Sequence, residues 1–105
     1  MKSSFVPNDT FREYKYRTVI RQGDDGSVTA SAEELGIVVS ASTEEEACLQ
    51  LAKAIFEYSQ EFCAHYSQYS NMPGGHEQIP YVVKATLLGS PENIIPEMVF
   101  QAMVP

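Results

Sequence analysis

Basic residues are scarce in this sequence. Its 105 residues include seven Lys or Arg against fourteen Asp or Glu, a formal net charge of −7. The few cations form no block. A phosphate backbone is neutralised by Lys and Arg, so direct nucleic-acid binding is not expected. Cysteine is equally sparse. Cys48 and Cys63 make no disulfide framework. On one helix they would lie ~22 Å apart, too far for a bridge within a subunit. No stretch supplies the ~20 apolar residues of a membrane span. Met1 to Thr10 lacks the apolar centre of a secretory signal. These absences point to a cytoplasmic protein.

Motifs that carry chemistry are missing too. There is no Ser-His-Asp or Cys-His spacing, no phosphate loop and no dinucleotide-binding glycine signature. Cys63 and His65 are two positions apart, ~200° around a helix, so they share no metal-binding face. Asp24 and Asp25 offer two adjacent carboxylates where Ca²⁺ takes roughly six to eight oxygens. No cofactor or metal is expected, and the chain does not read as an enzyme.

What is present suits one modest core. Hydrophobic residues make up 44% of the chain, and the length fits a single domain over residues 1–105. Residues 1–12 read as an irregular lead-in and residues 90–105 as a tail, either a short helical turn or an extended arm. From Glu13 to Gln22 the side chains alternate. Tyr14, Tyr16, Thr18 and Ile20 fall on one face and Lys15, Arg17, Val19 and Arg21 on the other, as in a half-buried strand. Gly23-Asp24-Asp25-Gly26 forms a turn, and Ser27 to Ala32 returns as a second strand. After Glu33-Glu34-Leu35-Gly36, the β-branched run at Ile37–Ser40 suits a third.

A long helix follows. Thr43-Glu44-Glu45-Glu46 fits a capping box, with its carboxylates at the positive end of the helix dipole. Ala47, Leu51, Ala54, Ile55, Tyr58, Phe62, Tyr66 and Tyr69 define one apolar stripe, so the helix is expected from about Thr43 to Tyr69. Its C-terminal half exceeds what one small sheet needs. Tyr58, Phe62, Tyr66 and Tyr69 are therefore a candidate oligomer interface, with a homodimer as the expected assembly. Asn71 to Gly75 breaks the helix, and the apolar run from Ile79 to Leu88 reads as a buried strand. The expected class is α+β: an antiparallel β-β-β-α-β sheet with one long helix packed on one face.

From Tyr14 to about Tyr58 this arrangement resembles the HicB-like antitoxin family. The shared features are the Asp24-Asp25-Gly26 turn, the Ala32-Glu33-Glu34-Leu35-Gly36 turn and the helix start Thr43-Glu44-Glu45-Glu46-Ala47. The second turn lacks both prolines of the family pattern. Ser27 stands where an aromatic residue is often found. The resemblance implies a partial RNase H-like fold and a non-catalytic module that neutralises a small basic ribonuclease toxin. Members of the family often carry a C-terminal DNA-binding domain as well, which is not expected in the residues after the helix. Nuclease activity itself is not expected. Two-metal hydrolysis needs carboxylates converging from strands, and the core-like stretches Tyr14–Gln22, Ser27–Ala32, Ile37–Ser40 and Ile79–Leu88 hold no Asp or Glu.

The acidic residues mark where a basic partner would bind. The candidates are Asp24 and Asp25, Glu33 and Glu34, and Glu44 and Glu45. The alternative is a stand-alone homo-oligomeric domain with an unidentified ligand or partner, outside any toxin-antitoxin system.

Overall fold

Alternation along the first strand sets the two sides of the sheet. In a computed structural model, which describes residues 13–101, β1 spans Tyr16–Gln22, with Tyr16 and Thr18 buried and Arg17 and Arg21 exposed. It pairs antiparallel with β2 (Val28–Ala32), Ile20 lying opposite Ala30. The turn between them is closed by Asp25, whose Oδ1 accepts from the Ser27 N–H (3.0 Å) and hydroxyl (2.7 Å). β2 pairs antiparallel with β3 (Ile37–Ala41), Ala30 opposite Val39. The expected three-stranded meander is present, each strand within a few residues of its expected bounds.

Helix α1 (Glu44–Ala64) lies across the face that carries Ala30 and Ala32. Its buried positions Ala47, Leu51, Ile55 and Phe62 follow the stripe read from the sequence. Each large aliphatic or aromatic side chain enclosed there contributes ~1.5–3 kcal/mol. The helix does not continue to Tyr69. It breaks at His65 (φ −123°, ψ 52°), and a short helix α2 (Tyr66–Ser70) follows at a new angle. In a straight helix Tyr58 and Tyr69 would be separated by ~16 Å along the axis. Their ring centroids are 6.1 Å apart, so the chain folds back on itself. Burial of the Tyr69 ring against Tyr58 and Phe62 stabilises the break, which contains neither Gly nor Pro.

The stretch Ile79–Leu88 is helical rather than a strand. It forms most of α3 (Gly75–Leu88), which packs on α1. The β-branched Val82 and Val83 favour strand locally, and Pro80 interrupts helical hydrogen bonding. Tertiary packing overrides both. Gly75, Val82 and Ala85 are buried and Ile79 is half-buried, at helical spacing on one face. Pro80 sits in the second turn of the helix, where one backbone donor is lost. Gly89 terminates α3 in the left-handed region (φ 86°), which favours glycine, and its N–H donates to the Ala85 carbonyl.

The fourth strand lies instead in the expected tail. After α4 (Pro91–Ile94) and a single 3-10 turn (Ile95–Glu97) comes β4 (Met98–Phe100), parallel to β1 with Met98 opposite Tyr16. The sheet is therefore mixed, not purely antiparallel, in the order β3-β2-β1-β4. The α+β class with a long helix on one face stands. The lead-in 1–12 and the end of the tail, 102–105, lie outside the described residues.

Candidate functional site

The start of α1 combines a fixed cap with two free carboxylates. Thr43 is extended, and its hydroxyl accepts the Glu46 N–H at 3.1 Å. Glu46 Oε1 reaches back to the Ser42 N–H at 3.3 Å. This is a variant of the expected capping box, its return bond going to Ser42, one residue before the Thr43 cap, and it occupies Glu46. Glu44 and Glu45 are exposed beside it. They border an apolar groove of about 380 Å³, walled by Ile20, Cys48, Leu49, Ile95 and Phe100. Leu49 is 43% exposed and Phe100 51%, so the groove is open to a partner. A shallower hollow continues from it past Glu45 to Ser42 and Thr43. Burial raises the Cys48 thiol above its ordinary pKa, and the Glu44 charge adds to this.

The six acidic residues picked from the sequence occupy opposite ends of the sheet. Asp24 and Asp25 lie in the β1–β2 turn, at the same end as Glu44 and Glu45. Asp25 and Glu46 together line a second open hollow beside Ser40 and Gln50. Glu33 and Glu34 lie in the β2–β3 turn at the far end. Glu33 is exposed. Glu34 is committed within the chain. Its Oε1 accepts the Arg17 N–H at 2.9 Å and its Oε2 the Arg17 Nε–H at 2.8 Å.

The aromatic residues cluster mainly inside the chain. Phe62 is fully buried, with ring centroids 5.5 Å from Tyr69, 6.1 Å from Tyr58 and 6.2 Å from Tyr66. Tyr66 remains 48% exposed.

Two features escape the sequence pattern. The first is the groove wall. Leu49 lies two positions from both Ala47 and Leu51, so it faces away from the apolar stripe, and an apolar residue on a polar helix face was the readable signal. Ile95 and Phe100 join it only through the tertiary fold. The second is a charge cluster around Glu97, whose Oε1 accepts from Lys84 Nζ at 2.6 Å and Lys15 Nζ at 2.9 Å. Burial pushes the Glu97 carboxyl up, but the hydrogen bonds from the two lysines outweigh it and hold the group below its ordinary value. Nearby, the Tyr16 hydroxyl donates to the Tyr81 carbonyl at 2.7 Å. Burial, then the Glu97 charge, raise its pKa far above the ordinary range.

Among the described residues, no three His, Cys, Asp or Glu side chains gather in a metal-binding arrangement. No described helix is long and apolar enough to cross a membrane.

Residues 3–99 match a family model, PHD_like, described as the antitoxin of a toxin-antitoxin system of RelE/RelB type. That span takes in β1 to β3, α1 and every residue of the groove except Phe100, the last residue of β4. The chain belongs to this antitoxin family. The match covers far more of the chain than the HicB-like resemblance, which drew on Tyr14–Tyr58, and it shares with that resemblance the toxin-antitoxin class. No curated protein matches. The fold is similar to a solved structure from Syntrophomonas wolfei subsp. wolfei, the antitoxin part of a proposed toxin/antitoxin system. The TM-score is 0.81 at 21% sequence identity, covering 92% of this chain and 70% of that one. At that identity the likeness concerns the fold.

Proposed function

We propose that this antitoxin-family chain is a non-catalytic, cytoplasmic module that neutralises a small basic toxin. The toxin would seat an apolar segment, flanked by Lys or Arg, in the groove at the start of α1. The carrying observation is the groove itself: exposed Leu49 and Phe100 form an apolar wall, with the carboxylates of Glu44 and Glu45 at its border. Apolar contact supplies affinity in such a site, and charge complementarity supplies steering and register. A ribonuclease toxin, as the HicB-like resemblance implies, fits this chemistry, because a protein that binds RNA carries a basic surface.

The test is co-expression with the product of the adjacent small gene in a host that the product alone arrests. The native chain restores growth and co-purifies with the toxin. Leu49→Asp places a charge in the apolar wall and abolishes both. Rescue by Leu49→Asp at native level would remove the groove from the reading. An adjacent gene whose product neither arrests growth nor binds would remove the toxin.

A further inference from the structure

The two edges of the sheet are built differently. β4 is three residues long, and Pro96 lies just before it. Short strands and prolines are ordinary ways of blunting an edge against further pairing. β3 has no such protection. It is five residues long, Ile37-Val38-Val39-Ser40-Ala41, with no proline and no charged side chain. Its register with β2 runs unbroken from Ile37 to Ala41, without a bulge. No described element pairs with its outer side. Val38 projects from it with 64% of its surface exposed.

The surroundings of this edge carry one sign of charge. Residues 22–52 contain seven carboxylates and no Lys or Arg. Glu34 is neutralised by Arg17. Exposed Glu33 remains at the start of β3, and exposed Glu44 and Glu45 follow its end. A second copy of the chain is therefore a poor occupant. Antiparallel self-pairing centred on Val39 brings the Glu33 turn of each copy towards Glu44 and Glu45 of the other, and like charges so placed are destabilising. A strand with an uncharged centre and Lys or Arg at both ends meets opposite charges at both ends instead.

We propose that β3 accepts an extended, basic-flanked strand of the partner protein, which adds to the sheet as a fifth strand. This rests on the reading of the chain as an antitoxin for a basic toxin, and it adds a second contact across the sheet from the α1 groove. Main-chain hydrogen bonds would supply affinity, and the flanking charges would select a basic strand over an acidic one.

The test is hydrogen exchange, residue by residue, on the full chain with a synthetic probe peptide, Lys-Arg-Thr-Val-Thr-Val-Arg-Lys, blocked at both ends. Outward-facing amides of residues 37–41 exchange rapidly in the chain alone and slow by about tenfold or more with the peptide. A peptide with Glu in place of its basic residues leaves them unchanged. Val38→Lys, on an exposed site that tolerates the charge, removes the slowing while the remaining strand amides keep their native protection. Three results would overturn the proposal. Protection in the chain alone that rises with protein concentration means a second copy occupies the edge. Protection independent of concentration means the chain covers its own edge. Slowing confined to residues 44–49 and 95–100 assigns the peptide to the groove, which removes the edge contact and leaves the proposed function standing.

Discussion

Lys84 and Glu97 form the tightest ion pair among the described residues, with Nζ 2.6 Å from Oε1 and the lysine side chain fully enclosed. The pair joins α3 to the turn that leads into β4. Lys84 Nζ also donates to the Tyr14 carbonyl at 3.0 Å, and Lys15 supplies Glu97 with a second cation. The ammonium is thus compensated by a carboxylate and a carbonyl, and the carboxylate by two ammoniums. Removing one partner of a buried pair leaves an uncompensated charge and typically costs ~3–5 kcal/mol. Glu97→Ala takes the carboxylate away from the enclosed ammonium of Lys84, which keeps the Tyr14 carbonyl, and is expected to fall at the lower end of that range, read as a lower urea midpoint. Lys84→Met, which keeps the volume and removes the charge, is expected to cost less. It leaves Glu97 paired with the half-exposed Lys15.

The same cluster gives stability a pH dependence. The Glu97 carboxyl is held below its ordinary value of 4.5 in the folded chain. A depressed acid binds its proton more weakly when folded than when unfolded. Its stabilisation is therefore complete above the ordinary value and is lost as pH falls through it towards the folded one. Urea midpoints measured between neutral pH and pH 4 should decline for the native chain. Glu97→Gln should start lower at neutral pH and show a flatter decline. Equal slopes would exclude Glu97 as the titrating group.

The β1–β2–β3 meander and the start of α1 were legible in the sequence because local chemistry and tertiary packing agree there. Alternation from Tyr16, the Asp25 turn and the Thr43 cap each act within a few residues. α3 was not legible as a helix. The β-branched Val82 and Val83 and the interrupting Pro80 favour a strand reading, while the deciding helical face is completed by packing on α1. Gly89, a helix terminator by its position, was the local signal for the other outcome. Of the site, the carboxylates were legible and the apolar wall was not, because Ile20, Leu49, Ile95 and Phe100 meet only once β4 lies beside β1.

Ser59 is buried on α1, and its hydroxyl has no hydrogen-bond partner among the described residues. A hydroxyl enclosed without a partner carries an uncompensated desolvation cost of ~1–3 kcal/mol. Ser59→Ala removes the polar atom, leaves only a small void and raises helix propensity. The expected result is a gain of ~0.5–1 kcal/mol, read as a higher urea midpoint with unchanged slope. A loss of stability would show that the hydroxyl is satisfied in solution.

Gly75 opens α3 at the point where the chain returns from α2. A Cβ there would stand 2.2 Å from the Tyr69 carbonyl oxygen and 2.8 Å from that of Ser70. Both obstacles are backbone, so no side-chain rotation relieves the clash. Gly75→Ala is expected to cost at least ~2 kcal/mol, more than ordinary overpacking against flexible side chains. Because Tyr69 packs on Phe62, the altered near-ultraviolet signal of the tyrosine cluster should accompany the lower melting temperature. Gly74→Ala meets no atom within 4 Å but carries a positive φ of 79°, so its cost should come without disturbance of that cluster.

Glu44 and Glu45 can be separated from Glu46 because only Glu46 closes the capping box. Reversing Glu44 and Glu45 to Lys sets two cations against the positive end of the α1 dipole, at a cost of ~0.3–1 kcal/mol each. The fold should survive with a melting temperature lower by several degrees. Toxin association should respond far more, since both carboxylates border the apolar groove. The double variant is expected to bind at least about tenfold more weakly, mainly through slower association, and to lose most of the salt dependence of the native on-rate. Glu46→Lys is the contrasting case. It breaks the reciprocal bond to the Ser42 N–H, so stability should fall further than for either neighbour. Equal on-rates for the native chain and the double variant at low salt would show that the toxin approaches some other surface.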